Sequence, residues 1–202
     1  SATVYGAGAG RHEDDWPHNR SPTSPYGLTK DVAERVIRGL PDPWAVTSLR
    51  YFNPLGAHPS GRLGDSSDAN VMGPLLRAAR DGAPFTVHGT TYATPDGTCI
   101  RDYIHVTDLA EAHVLALKYL LQGGDCQFLN LGNNQGFSVR EIIETAEKVI
   151  GRPIEIEETE RRAGDPAELV SGSTLAKEIL GWQPVRADIA IQIEDAWRWH
   201  MK

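Results

Sequence analysis

Ser24-Pro25-Tyr26-Gly27-Leu28-Thr29-Lys30 decides how this chain is read, because it opens a helix and sets a tyrosine and a lysine one turn apart on it. Ser24 is a favoured N-cap and Pro25 suits the first helical position. The helix then runs through Val32, Val36 and Ile37 and stops near Gly39. Tyr26 and Lys30 share one face of it. A free phenol has a pKa of about 10 and a neighbouring ammonium favours its anion, so the pair is suited to proton transfer. Six tyrosines and five lysines in 202 residues would give this spacing by chance roughly 0.15 times, so the spacing alone does not separate a site from a coincidence.

The neighbourhood separates them. Ser1-Ala2-Thr3-Val4-Tyr5-Gly6 precedes the pair, and Leu49-Arg50-Tyr51-Phe52-Asn53-Pro54 follows it after one helix and one strand. Together these segments resemble the extended short-chain dehydrogenase/reductase family, in which a Ser or Thr, a Tyr and a Lys form the catalytic group. Ser1, Tyr26 and Lys30 stand at the matching positions. The resemblance implies that Tyr26, Lys30, Tyr51, Phe52 and Pro54 adjoin a nicotinamide cofactor, NAD.

Length and composition bound the remaining possibilities. A chain of 202 residues can bury a sizeable core, and 40% hydrophobic with 23% charged residues is ordinary for a soluble protein. A formal net charge of -7 without a basic stripe argues against a nucleic-acid binder. Cys99 and Cys126 form no Cys-x-x-Cys and the histidines no His-x-x-x-His, so neither a disulfide framework nor a metal site is expected, and a cytoplasmic setting fits. No apolar run is long enough to span a membrane and no signal peptide is evident. The opening Ser1-Ala2-Thr3-Val4-Tyr5 reads as the tail of a buried strand, and without an initiating Met the chain reads as an excerpt from a longer protein.

Gly6-Ala7-Gly8-Ala9-Gly10 does not complete a Gly-x-Gly-x-x-Gly turn, since Arg11 stands where glycine is needed and a polar segment follows; it reads as a loop. Residues 44–51 read as a buried strand, with Asn53 at its carboxyl end where open α/β sheets bind ligands. A loop over 56–68 and a helix from about Ala69 to Arg80 follow, with Asn70 at the helix start. Pro84-Phe85-Thr86-Val87-His88-Gly89 is a strand candidate. The string from Thr94 to Leu109, containing Asp96-Gly97-Thr98 and Arg101-Asp102-Tyr103, then sets Arg101 and Tyr103 on alternate residues that can face one pocket. Arginine's planar fork suits a diphosphate.

Thr107 can cap a helix reaching Leu121. Residues 127–132 read as another buried strand, Ser138-Val139-Arg140-Glu141 as a capping box opening a helix to Gly151, and Ile154 to Glu158 as a strand. Arg161-Arg162-Ala163-Gly164-Asp165-Pro166 is a tight charged loop, and helices over 173–180 and about 187–200 complete the chain.

The string around Arg101 and the Arg-Arg-x-Gly-Asp loop resemble the UDP-hexose epimerases of the extended family. The resemblance implies substrate contacts from Asn53, Asn70, Thr86, His88, Arg101, Tyr103, Arg162 and Asp165. At Leu169 it implies a size gate beside the sugar, where an intermediate leucine leaves N-acetylated hexoses open. The expected fold is the C-terminal part of a Rossmann-like NAD(P)-binding α/β domain (1–55) with a smaller α/β substrate-binding region (56–202), some of whose segments return to the first.

The expected activity is interconversion of UDP-glucose and UDP-galactose by transient oxidation at C4, in a homodimeric parent enzyme whose Gly-x-x-Gly-x-x-Gly loop these residues lack. The isolated residues are then expected to be inactive. The alternatives are a related epimerase or dehydratase acting on UDP-pentoses or UDP-N-acetylhexosamines, and a non-catalytic UDP-sugar binding module.

Overall fold

The computed structural model describes residues 1–6, 20–41, 43–65, 67 and 70–202. Beyond Gly6, the glycine-rich run lies outside the described residues.

Parallel strands joined by helices form the framework, since parallel pairs need long crossovers. β1 (Thr47–Tyr51) pairs parallel with β5 (Gln127–Leu131), with Leu49 opposite Leu129. β2 (Asn53–Leu55) pairs parallel with the end of β4 (Ile100–His105), whose beginning lies antiparallel to β6 (Gly136–Ser138) and parallel to the short β8 (Glu168–Leu169). β3 (Phe85–His88) pairs parallel with β7 (Ile156–Thr159).

Two cores fill this framework. The larger packs Leu75 and Leu76 of α2 (Met72–Asp81), Ile142 and Ile143 of α4 (Val139–Ile150) and Ile193 of α6 (Ile189–His200) around β2 and β3. The second packs Leu109 and Ala112 of α3 (Val106–Leu121), Ala176 of α5 (Thr174–Leu180) and Trp182 against Leu129 and Leu131 of β5. A third, smaller cluster joins Ala2, Val4, Tyr5, Phe52 and Leu169.

Local signals explain most element ends. Ser138 and Glu141 close the capping box of α4 from both sides, and Gly151 ends that helix in the left-handed region at φ 79°. α1 (Pro25–Arg38) starts where Ser24 Oγ accepts from the Gly27 N–H at 3.1 Å and stops at Gly39.

Three expectations are corrected. Ala2–Tyr5 is not a strand tail but a 3-10 turn, capped by the Ser1 hydroxyl on the Thr3 N–H; the apolar residues that suggest a strand bury this turn instead. α2 begins at Met72, because Asn70 Oδ1 accepts from the Met72 and Gly73 N–H groups and holds the preceding residues outside the helix. α3 is capped by His105, whose Nδ1 accepts from the Thr107 N–H at 3.1 Å, rather than by Thr107.

Candidate active site

The face that α1 turns inward is polar. Gly27, Asp31 and Glu34 are buried, whereas Leu28, Val32 and Val36 stand about half exposed or more. The cause lies on the neighbouring strand. Arg50 of β1 reaches Glu34 with two parallel donors, Nε to Oε1 at 3.0 Å and Nη2 to Oε2 at 2.9 Å. Arg20 adds a bond to Glu34 Oε2 and another to Asp31 Oδ1 at 2.6 Å. Arg50 Nη1 also donates to the Tyr5 hydroxyl at 2.7 Å, which donates in turn to Asn130 Oδ1 of β5 at 2.7 Å.

Two buried cations thus face two buried carboxylates, and the network fixes α1 to the sheet and to the turn after Ser1. Burial raises the Asp31 carboxyl, but hydrogen bonds from Arg20 and Arg35 outweigh it and leave the group below its ordinary value.

Gly27 makes the second attachment. A Cβ on it would lie 2.6 Å from the Thr3 carbonyl oxygen, so only glycine lets the first turn of α1 sit directly on the turn capped by Ser1. Ser1, Tyr26 and Lys30 therefore lie on two adjoining pieces of backbone. The Lys30 ammonium is 5.2 Å from the centre of the Tyr26 ring, and both side chains are exposed. Neither has a protein hydrogen-bond partner for its terminal atom among the described residues.

A second group of side chains approaches the same end of α1. The Thr23 hydroxyl donates to the Gly164 carbonyl at 3.1 Å, which ties the segment before Tyr26 to the loop of Arg162 and Asp165. Asp165 Oδ1 accepts from Arg101 Nη2 at 2.5 Å, and the same nitrogen reaches the Pro166 carbonyl at 2.8 Å. Leu169 stands opposite Arg101 in the β4–β8 ladder and packs with Ala2, Val4, Tyr5 and Phe52. His88 is lowered from its usual pKa by burial and by the Arg162 charge, opposed by Asp165, so its imidazole is neutral near pH 7. Arg162 is exposed and unpaired among the described residues.

The structure therefore brings the turn of Ser1, the pair Tyr26 and Lys30, Phe52, Leu169, Arg101, Arg162, Asp165 and His88 into one region. Arg101 and Asp165, read as separate ligand contacts, are bonded to each other here.

Four residues are placed elsewhere. Tyr51 turns to α3, where its hydroxyl meets His113 Nε2 at 2.5 Å. Tyr103 is 3% exposed within the larger core, so it does not share an open pocket side with Arg101. Pro54 and Asn70 line a cavity of about 50 Å³ with Asp65, Trp199 and His200, and the Asn70 amide is spent on capping α2 and on Asp65. Asn53, half-buried on β2, keeps its amide free of protein partners among the described residues, and Thr86 lies half-buried on β3 opposite Glu157.

The Asp96-Gly97-Thr98 segment turns out to be structural. Asp96 accepts from Thr98 at 2.8 Å and from the Ser138 hydroxyl, tying the loop to the cap of α4. Glu34 and Arg50, whose partnership spans a helix and a strand, carry no local signal in the sequence, and Tyr92 has only a glycine to either side, at Gly89 and Gly97.

Parallel strands linked by helices, with a tyrosine and lysine on one helix face beside a capped turn, make a Rossmann-like α/β arrangement. Residues 1–132 match the sequence model of the NAD dependent epimerase/dehydratase family, and the chain belongs to that family.

Within it, the chain is 44% identical over 195 residues to a UDP-glucose 4-epimerase of Rhizobium meliloti (strain 1021), covering 93% of this chain and 58% of that protein. The UDP-glucose 4-epimerase from Bifidobacterium longum, solved with NAD+ and UDP, matches 100% of this chain and 62% of its own at a TM-score of 0.88 and 35% identity. That from Stenotrophomonas maltophila, with bound NAD and formylated UDP-arabinopyranose, matches 100% and 61% at 0.88 and 37%. The chain thus spans roughly three-fifths of the length of these relatives.

Proposed function

We propose that this chain carries the catalytic group and the nucleotide-sugar contacts of an isomerase that interconverts UDP-glucose and UDP-galactose with NAD. The observation that supports this reading most is the seating of the Tyr26–Lys30 turn on the Ser1-capped turn, with the Arg101, Arg162 and Asp165 group tied alongside by Thr23 and Gly164.

NAD fits the residues present. The Tyr26 hydroxyl and the Lys30 ammonium are exposed and uncommitted, which suits them to a ribose, and Phe52 closes the region from the sheet side. Bound there, the dinucleotide supplies a hydride acceptor and donor for C4 of the hexose. Tyr26 takes the proton of the C4 hydroxyl and Ser1 hydrogen-bonds the same oxygen. Lys30 favours negative charge on the phenol oxygen.

Arg101 and Arg162 meet the diphosphate and Asp165 the ribose hydroxyls, with Asn53, Thr86 and His88 as further contacts to the nucleotide, while Asn70 serves the start of α2. In this reading Tyr103 acts from the core by holding β4. Leu169 borders the sugar, where a side chain of intermediate size forms the gate.

Residues 1–55 belong to the dinucleotide-binding domain and 56–202 mainly to the substrate region, with β5 returning to pair with β1. A homodimer formed through α1 would cover the exposed stripe of Leu28, Val32 and Val36. No helix of the described residues is long and apolar enough to cross a membrane, and the two free cysteines suit a reducing cytoplasm.

Turnover of UDP-glucose, UDP-galactose, their N-acetylated counterparts and UDP-pentoses by the protein as encoded tests the reading. Hexose interconversion at the highest rate supports it. UDP binding without turnover of any of these sugars would leave only a binding module.

A further inference from the structure

Tyr92 lies outside every role assigned so far. It follows β3 in the loop that leads to β4, its ring is 5% exposed, and its hydroxyl is fully buried with no hydrogen-bond partner. A buried hydroxyl that meets nothing carries its whole desolvation cost, and native proteins retain few of them.

The side chain is held firmly in this position. The Tyr92 N–H donates to the Gly97 carbonyl at 2.8 Å and its own carbonyl accepts from the Thr94 N–H at 2.8 Å. Gly89, at φ 86°, leaves the room the ring occupies, since a Cβ there would lie 2.8 Å from Tyr92 Cε2. The Arg161 guanidinium stacks 4.5 Å from the ring centre and is itself bonded to the Thr91 hydroxyl at 3.0 Å and to the Thr91 carbonyl.

The ring is thus clamped while its polar end is left unused. The charged groups that bear on this end are Asp165, Arg101 and Arg161, together with the Cys99 thiol. Two of them, Arg101 and Asp165, belong to the proposed UDP site, and Arg161 precedes its Arg162.

Burial raises the phenol above its usual pKa, so it stays protonated and can donate. The donors that Arg101 turns toward Asp165, Pro166 and Ile100 are already taken. An oxyanion arriving beside that arginine therefore gains from a neutral donor that a neighbouring aspartate does not engage.

We propose that Tyr92 is a further ligand-binding residue, its hydroxyl donating to an oxygen of the nucleoside diphosphate held by Arg101 and Arg162; this rests on the UDP-sugar reading of the site. The hydroxyl is unpaired in the free protein and paired in the complex.

Tyr92→Phe tests this in the protein as encoded, with UDP as the probe, by calorimetric titration and by melting with and without UDP. The variant removes an unpaired group and keeps the ring. Its ligand-free Tm is expected to equal or exceed the wild-type value, while UDP binds roughly tenfold more weakly, ~1.4 kcal/mol, and raises Tm less.

Equal UDP affinity in the two proteins overturns the proposal alone and assigns the hydroxyl to a buried water. A ligand-free variant that melts lower or does not fold also overturns it, because the hydroxyl is then already paired in the free protein. If the wild-type protein does not bind UDP, the underlying reading falls and this proposal with it.

Discussion

Replacing Glu34 with alanine would remove the carboxylate that joins α1 to Arg50 and Arg20. Glu34 is 4% and Arg50 2% exposed, so the cation left behind cannot recover its hydration without opening the sheet. The loss includes the parallel pair of bonds to Arg50, at 3.0 and 2.9 Å, the bond from Arg20 and a long one from the Ser48 hydroxyl at 3.4 Å. Removing one partner of a buried pair costs about 3–5 kcal/mol, against a total of about 5–15 kcal/mol for a typical protein. At about 2–4 °C per kcal/mol for a chain of this size, Tm should fall by roughly 6–20 °C.

Urea unfolding of E34A and wild type, followed by circular dichroism, gives the difference directly. The double variant E34L/R50M, which replaces the charged pair by apolar volume and leaves Arg20 paired with Asp31, should recover at least half of the loss. A decrease below about 1 kcal/mol for E34A would mean that this network does not fix α1, since that is the worth of an exposed pair.

Gly27→Ala gains about 1 kcal/mol of helix propensity but sets a methyl 2.6 Å from the Thr3 carbonyl oxygen, so α1 must move. Turnover should fall on the order of 100-fold with UDP affinity little changed, as steady-state kinetics and titration would show. Gly97→Ala meets the Thr90 carbonyl at 2.2 Å in a backbone of φ 81°, and the strained conformation alone should cost at least about 1–3 kcal/mol in a denaturation series.

His105 is held below its usual pKa by burial and by Arg186, opposed by Asp108 and Asp195, so the unfolded chain takes up the proton first. Stability should be full above about pH 7 and decline as pH falls through 6.5; His88 and His200, also lowered, act in the same sense. Melting curves from pH 8 to 5 should show this decline, smaller in His105→Gln. Greater stability at pH 5.5 than at pH 7.5 would contradict it.

What the sequence disclosed was local. Ser24 with Pro25, and Ser138 with Glu141, announce helix starts because each cap is complete within four residues, and the structure has α1 and α4 beginning there. Capping by His105 stayed hidden because Thr107 is the commoner capping residue, and only the folded geometry shows which group meets the N–H.

The inward face of α1 was not legible either. Val32 and Val36 look like core positions, but Glu34 and Asp31 turn inward because Arg50 waits on the adjoining strand β1 and Arg20 beside it, contacts that no helical periodicity discloses. The Arg101–Asp165 bond joins residues 64 apart and shows that two candidate contacts form one unit. Tyr103 illustrates the limit of alternation: it shares a strand face with Arg101, yet the fold fills its end of that face with core.

Tyr26 is the residue on which the proposed reaction depends most directly. In the protein as encoded, interconversion of UDP-galactose and UDP-glucose should fall by about 10²–10⁴ in Tyr26→Phe, while UDP still binds with wild-type affinity. A Tyr26→Phe protein that keeps more than a tenth of the wild-type rate would contradict the assignment of proton transfer to the Tyr26–Lys30 pair.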